Sequence, residues 1–328
     1  MRRNSRGSWL LAIALGAVAA ALPLAFLRNQ YHLILLTTVA LYGVLTSAWN
    51  IIGGMAGQLD LSAGAYLGLG AYTTATLLLR WNITPWVGMF AGGAVAMGFA
   101  FLVGFPLFRF RIREVWYALS SSALVVVLQV VFLLWKQVGG PMERLLPSAS
   151  FSLYNLRFQS YLPYYYIMLV LLLVTLFITY RIRTRRLGYY LLALGDNEDA
   201  AEVLGVNARG SKLKALVIYA FLVGITGGLY ACIYGFVHTS FFSTTISMEV
   251  AILGIVGGMG IIYGPLSATV ILVTGRELLR ASLGGRLQSL YLVIYAAVLI
   301  LIALLRPRGL ASLIGAWRKA PAGAKERR

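Results

Sequence analysis

A chain of 328 residues that is 60% hydrophobic, 12% charged and formally +18 at neutral pH has too little polar surface to clothe a water-soluble globule. The basic residues lie between apolar runs instead of forming a stripe interleaved with aromatics, which argues against a nucleic-acid partner. The single cysteine, Cys232, excludes an intrachain disulfide.

Cutting the chain at glycine, proline and charge clusters predicts ten apolar segments: 8–27, 31–53, 59–79, 85–108, 115–134, 161–180, 213–235, 249–262, 264–279 and 288–305. Most approach the roughly 20 residues that a helix needs to cross a ~30 Å hydrocarbon core. The expected fold is therefore an all-α polytopic membrane protein with about 8–10 transmembrane helices, some short or broken by glycine. Residues 1–21 also fit a signal peptide, but the apolar run continues through Phe26 and Leu27, long enough to span. Three basic residues fall in 1–7, three in 109–113, seven from Arg181 to Lys214 and seven from Arg306 onward, 20 of the 28 Lys and Arg. All four groups fall on one side of an even-span topology, and the positive-inside rule makes that side the cytoplasm. The predicted organisation is a cytoplasmic N-terminus (1–7), one membrane domain (8–310) and a basic cytoplasmic tail (311–328). Within the membrane domain lie an external loop (136–160) and a cytoplasmic loop (181–214).

Glycine is abundant in the apolar segments, where small residues let helices approach closely. Two clusters interrupt segments instead. Ile51-Ile52-Gly53-Gly54-Met55 and Ile255-Val256-Gly257-Gly258-Met259 resemble each other, and each is followed by Leu-Ser-Ala, at Leu61–Ala63 and Leu266–Ala268. Paired Gly-interrupted segments point to broken helices beside a solute path, although the match is short enough to arise by chance.

The cytoplasmic loop places four of the ten acidic residues between Asp196 and Glu202, in an otherwise basic stretch. Asp196 is predicted to cap a short helix with Asp199 at its third position, Glu198 and Glu202 one turn apart, and Gly205 at its end. Ala200, Ala201, Val203 and Leu204 would form its apolar side. Such a helix suits insertion into a groove on a soluble partner. An alternative, lying on the bilayer surface, matches acidic residues poorly to an anionic leaflet.

Over nearly its whole length the chain resembles the permeases of branched-chain amino acid ABC importers, in particular their LivM-like subunits. The similarity runs through Gly54, Gly57-Gln58-Leu59, Leu61 and Gly68-Leu69-Gly70-Ala71-Tyr72, then Arg113 to Ala123 with Tyr117-Ala118-Leu119. It continues through Gly139-Gly140 with Pro147, Gly188 to Asn207 with Lys212 and Lys214, Gly257 to Gly260 with Gly264-Pro265, and Arg306-Pro307-Arg308-Gly309-Leu310. The resemblance implies a bacterial-type inner membrane and a second, LivH-like permease subunit. It also implies two cytoplasmic ATP-binding subunits holding ATP and Mg, and an extracytoplasmic solute-binding protein. It makes Gly188, Ala193, Asp196, Asn197, Glu198, Asp199, Ala200, Glu202 and Gly205 candidates for ATPase coupling. No Gly-x-x-x-x-Gly-Lys-Ser/Thr loop occurs here, so nucleotide hydrolysis is expected in the partners, with no cofactor or metal in this chain.

The family's small hydroxyl residue, glycine and histidine after the first signature are replaced by Asp60, Ser62 and Ala63, and Val138 stands where threonine is common. An ionisable residue within a membrane segment is a functional candidate, so Asp60 either pairs with a polar neighbour or lines the path. The candidate path residues are Gln58, Asp60, Ser62, Gly257, Gly258 and Glu249. Glu249 is also predicted to favour a helix N-terminus, and Glu277 to pair with Arg280. Tyr161, Tyr164, Tyr165 and Tyr166 read as an interfacial belt. The expected function is the permease subunit of an ATP-driven importer for a small polar solute, with branched-chain amino acids first and urea, amides or other amino acids as alternatives. A self-contained secondary transporter or channel would want more buried ionisable groups, and a membrane enzyme lacks a catalytic constellation.

Overall fold

The computed structural model describes residues 19–23, 29–112, 114–147, 152–283, 290–305 and 309–310. Most of segment 8–27, Arg113, Arg306-Pro307-Arg308 and the tail 311–328 lie outside them.

The chain folds as α1 (Gln30–Trp49), a π-helical turn (Asn50–Gly54), α2 (Ala63–Trp81), α3 (Pro85–Arg109), α4 (Glu114–Leu134) and α5 (Leu162–Arg183). After the short helices α6 (Arg186–Asp196) and α7 (Glu198–Val203) of the 181–214 loop come α8 (Ala208–Tyr234), α9 (Thr244–Gly257), α10 (Gly264–Leu283) and α11 (Leu290–Leu305). Six stretches among the described residues are long and apolar enough to cross a membrane: Gln30–Gly54, Pro85–Arg109, Val115–Leu134, Leu162–Arg183, Ala208–Tyr234 and Thr239–Gly257. Local chemistry sets several boundaries. Thr84 and Pro85 open α3, Asn82 closes α2 in the left-handed region, and Asn207 caps α8 by accepting from Gly210 N at 2.8 Å.

In α1 and α8 the most apolar window is 78% buried, against 33–39% in α3, α4 and α5, so the first two form the centre and the other three the periphery. The peripheral helices turn Phe101, Leu102, Val127, Leu134, Val170 and Phe177 outward, the side chains a lipid-facing surface requires.

Helices α2, α3 and α8 cross with almost no side chain between them. A Cβ on Gly70 would lie 1.9 Å from Gly224 O, one on Gly227 2.0 Å from Leu67 O, and one on Gly92 2.7 Å from Gly70 O. Dispersion and close backbone approach must drive association where lipid tails are as apolar as leucine.

The two similar glycine clusters meet. Asn50 donates from Nδ2 to Ile261 O at 2.9 Å and accepts at Oδ1 from Gly260 N at 3.0 Å, while a Cβ on Gly54 would lie 2.7 Å from Gly260 N. The Trp49 ring fills a slot between Gly53 and Gly254, and its Nε1 donates to Asp60 O at 2.8 Å. Replacing Asn50 with leucine strands one buried backbone group, Gly260 N, and one part-buried, Ile261 O. The expected loss is about 1–3 kcal/mol per group, read as a lowered melting temperature in detergent. An unchanged melting temperature would show that the bridge contributes nothing.

At the end of the bundle opposite the basic loops, β1 (Arg144–Leu145) pairs antiparallel with β2 (Phe236–Val237), and Arg157 donates to Leu146 O at 3.0 Å and Pro147 O at 3.2 Å. The tyrosine cluster differs from the expected belt. Tyr164 and Tyr165 are buried; Tyr164 donates to Leu156 O at 2.7 Å and Tyr165 to Ala19 O at 2.7 Å. A buried phenol needs an acceptor, and a bond to a backbone carbonyl outweighs its preference for the headgroup layer.

Candidate functional site: an acidic loop and a part-open cavity

The helices of the 181–214 loop differ in detail from the sequence expectation. Asp196 is the last residue of α6, and Asn197 caps α7, with extended backbone and Oδ1 accepting from Ala200 N at 3.0 Å. Asparagine reaches the free amide with no charge to solvate, and Asp196 N-terminal to it remains inside the preceding helix. Leu204 is the C-cap, followed by Gly205 at φ +87°. The expected apolar side is divided. Ala201 packs with Leu194 and Ala208, whereas Val203 and Leu204 are 88% and 85% exposed. Ala193, Asp199 and Ala200 are also at the surface, and a Cβ on Gly188 would lie 2.4 Å from Ile182 O, where α6 turns back against α5.

The two glutamates of this turn reach different partners. Glu202 pairs with exposed Arg111 at 3.2 Å, and Glu198 with buried Lys212 at 2.7 Å. Lys212 Nζ also donates to Gln58 Oε1 at 3.0 Å, and both of those side chains are buried. Beside this bridge the backbone of Gly57, at φ +66°, faces Gly195. A Cβ on Gly195 would lie 2.6 Å from Met55 O. The loop between the π-turn and α2 is therefore bolted to the α6–α7 corner by one charge-assisted bridge and one glycine contact. In the sequence Lys212 stands out only as one of the basic residues of the 181–214 loop and as part of the stretch that resembles the family. The usable signal was its position on the interior face of α8 with Ala208, Ala215 and Leu216.

From Gln58 the chain runs without helical structure to Asp60 and Ser62, where α2 begins. Asp60 is completely buried. Its Oδ1 accepts from Ser62 N at 2.9 Å and Ser62 Oγ at 2.5 Å, and its Oδ2 from Tyr117 OH at 2.9 Å. The carboxylate sits at the start of α2, where the helix dipole favours negative charge. Of the two roles open for Asp60, the geometry displays the pairing one. Ser121 adds a bond from Leu61 N at 3.0 Å. Opposite, α9 begins beside α2: Gly64 N donates to Ser247 Oγ at 2.8 Å. Tyr219, stacked edge-on against Tyr66, stands about 16 Å along α8 from its first residue. Helices α2 and α9 thus both start part-way through the bundle, as discontinuous helices in transporters do. For α9 the start at Thr244 precedes the expected 249 because Ser243 caps it, accepting from Ile246 N at 3.3 Å.

Glu249 consequently lies within α9, not at its N-terminus. Of the six path candidates, Gln58, Asp60, Ser62, Gly257 and Gly258 are buried in packing, and Glu249 lines a cavity of about 720 Å³. Its walls come from α1, α8, α9, α10 and α11 and include Ile34, Leu41, Tyr42, Ile252, Arg276 and Tyr295. Arg276 pairs with Glu249 through Nη1 and with Glu277 through Nη2 at 2.9 Å, so Glu277 engages Arg276 where pairing with Arg280 was expected. Arg276 lies further inside the bundle, where an unpaired cation costs more than at the rim. Among the described residues no cluster of His, Cys, Asp and Glu could hold a metal ion.

The family described as "Branched-chain amino acid transport system / permease component" matches residues 31–303. The chain is 27% identical over 324 residues to the high-affinity branched-chain amino acid transport system permease protein LivM of Escherichia coli, covering 92% of this chain and 74% of that protein. It is 24% identical over 303 residues to LivH of the same bacterium, covering 87% and 95%. To the probable branched-chain amino acid transport permease protein LivH of Methanocaldococcus jannaschii it is 24% identical over 273 residues, covering 79% and 84%. No solved structure matches.

Proposed function

From the premise that this chain belongs to the permease-component family of branched-chain amino acid transport systems, we propose the following account of how it works. The chain is a multi-pass membrane permease subunit. Its solute is a branched-chain amino acid. It works as a heterodimer with a LivH-like permease, two cytoplasmic subunits that bind and hydrolyse ATP with Mg, and an extracytoplasmic binding protein. The basic loops and both termini face the cytoplasm.

The observation that carries this reading is the bolted α6–α7 corner. Val203 and Leu204 offer an exposed apolar tip to a partner, and Lys212, Gln58 and the Gly57–Gly195 contact connect that tip to the loop before α2. Closure of the ATPase pair would displace the corner, and the loop bearing Gln58 to Ser62 would move with it. ATP can drive such a change only by binding the two arrangements differently.

The test is purification of the tagged chain from its native membrane, followed by reconstitution of what co-purifies with the binding protein. Expected are a second glycine-rich permease, Walker-motif ATPases and leucine uptake that stops without ATP. A chain that purifies alone and moves solute without ATP would establish a self-contained transporter or channel instead.

A further inference from the structure

The cavity at Glu249 has a composition that packing does not require. Arg276, Glu249 and Glu277 have side chains only 14%, 14% and 18% exposed, in a part-open cavity between helices of a bundle whose surroundings are lipid. Ionisable groups there are costly, and a buried ion pair adds little stability over apolar residues of similar volume. Arg276 is also shared between two carboxylates, while a second cation, exposed Arg280, stands at the rim of the same cavity. Glu277 Oε1 accepts from Arg276 Nη2 at 2.9 Å and Nε at 3.2 Å, whereas Glu249 Oε1 accepts from Nη1 and, at 3.4 Å, from Tyr295 OH. The ring of Tyr42 closes a further side, with its centroid 5.0 Å from the guanidinium carbon.

Resting on the amino-acid reading above, we propose that this cavity is a binding station for the zwitterionic head of the solute, with Arg276 receiving its carboxylate and Glu249 its ammonium. A zwitterion enters such a site by exchanging partners. The ammonium takes the carboxylate that Arg276 gives up, the solute carboxylate takes the vacated guanidinium edge, and no charge is left unpaired. Glu277 keeps Arg276 in place by its two bonds during the exchange. A simple anion would strand Glu249, and a simple cation would compete with Arg276 for it without replacing its bond. The walls fit the rest of the molecule: Ile34, Leu35, Leu41 and Ile252 present an aliphatic surface beside the charged group. The volume of about 720 Å³ falls within the ~300–1,000 Å³ usual for small-molecule sites.

The reconstituted transporter should be irradiated with a diazirine analogue of leucine, and the adducts located by peptide mass spectrometry. Adducts are expected in Tyr31–Tyr42 and Thr245–Ile252. Unlabelled leucine should compete at least tenfold better than 4-methylpentanoate, which lacks the ammonium, or isopentylamine, which lacks the carboxylate. The paired neutral variant Glu249→Gln with Arg276→Gln should lose at least nine-tenths of the labelling. The analogue competition uses the wild-type protein and does not depend on that variant folding. ATP-driven leucine uptake with adducts elsewhere, or equal competition by either one-charge analogue, would overturn the station and leave the transport reading intact. Absence of any amino-acid uptake by the wild-type complex would overturn both.

Discussion

Lys212→Met in the reconstituted transporter is expected to cut ATP-driven uptake by at least tenfold while the complex continues to hydrolyse ATP. Methionine keeps much of the lysine stem and removes the ammonium that joins Glu198 at 2.7 Å to Gln58 at 3.0 Å. A hydrogen bond to a charged group contributes about 1.5–3 kcal/mol, and a factor of ten in rate corresponds to about 1.4 kcal/mol. Loss of both bonds therefore suffices for a tenfold effect, although the Gly57–Gly195 contact between the corner and the loop before α2 remains. Because Glu198 loses the Lys212 ammonium at 2.7 Å, adding Glu198→Gln should recover part of the protein's stability but not its uptake. The neighbouring pair supplies the contrast. Arg111 is 68% exposed, so Glu202→Gln removes a surface ion pair of about 0–1 kcal/mol and should leave uptake within about twofold of wild type. Wild-type uptake by Lys212→Met would eliminate this route of coupling.

Gly70→Val is expected to abolish folded protein. In an isolated helix, removing glycine is favourable by up to about 1 kcal/mol, so propensity alone predicts gain. The tertiary structure predicts the reverse. A Cβ at residue 70 would lie 1.9 Å from the carbonyl oxygen of Gly224, and α3 presses on the same turn of α2 from another side through Gly92. Ordinary overpacking costs about 1–3 kcal/mol because side chains shift; here the obstacle is backbone, so three helices must separate. Gly98→Val is the control, since nothing lies within 4 Å of a Cβ there. The assay is the yield of monodisperse protein and its melting temperature. A Gly70→Val protein that melts like Gly98→Val would refute the crossing.

The same contrast separates what was legible in the residues from what was not. Glycine abundance announced close packing, yet Gly70 and Gly98 look alike in sequence and differ only in what a distant segment brings against them. The similarity of Ile51–Met55 to Ile255–Met259 marked two interruptions. It did not reveal that Asn50 ties one cluster to the other through Gly260 and Ile261. In the 181–214 loop the acidic run announced a short helix, but the choice of Asn197 over Asp196 as its cap turned on where α6 stopped.

The sequence by itself determined the solvent and the class of protein. A backbone in lipid must satisfy its own hydrogen bonds, so long charge-free runs have to be helices, and the clustering of Lys and Arg between them gives an orientation. These are properties of each segment alone. The placement of the charged groups was decided by the tertiary structure. Glu249 and Arg276, Glu198 and Lys212, and Asp60 and Tyr117 lie 27, 14 and 57 residues apart, each pair on different elements, and meet only when the helices pack. Which carboxylate faces a cavity, bolts a loop or caps a helix is a question of partners. Because an ion in this interior must find one, the packing of the bundle assigned the roles that composition could only require.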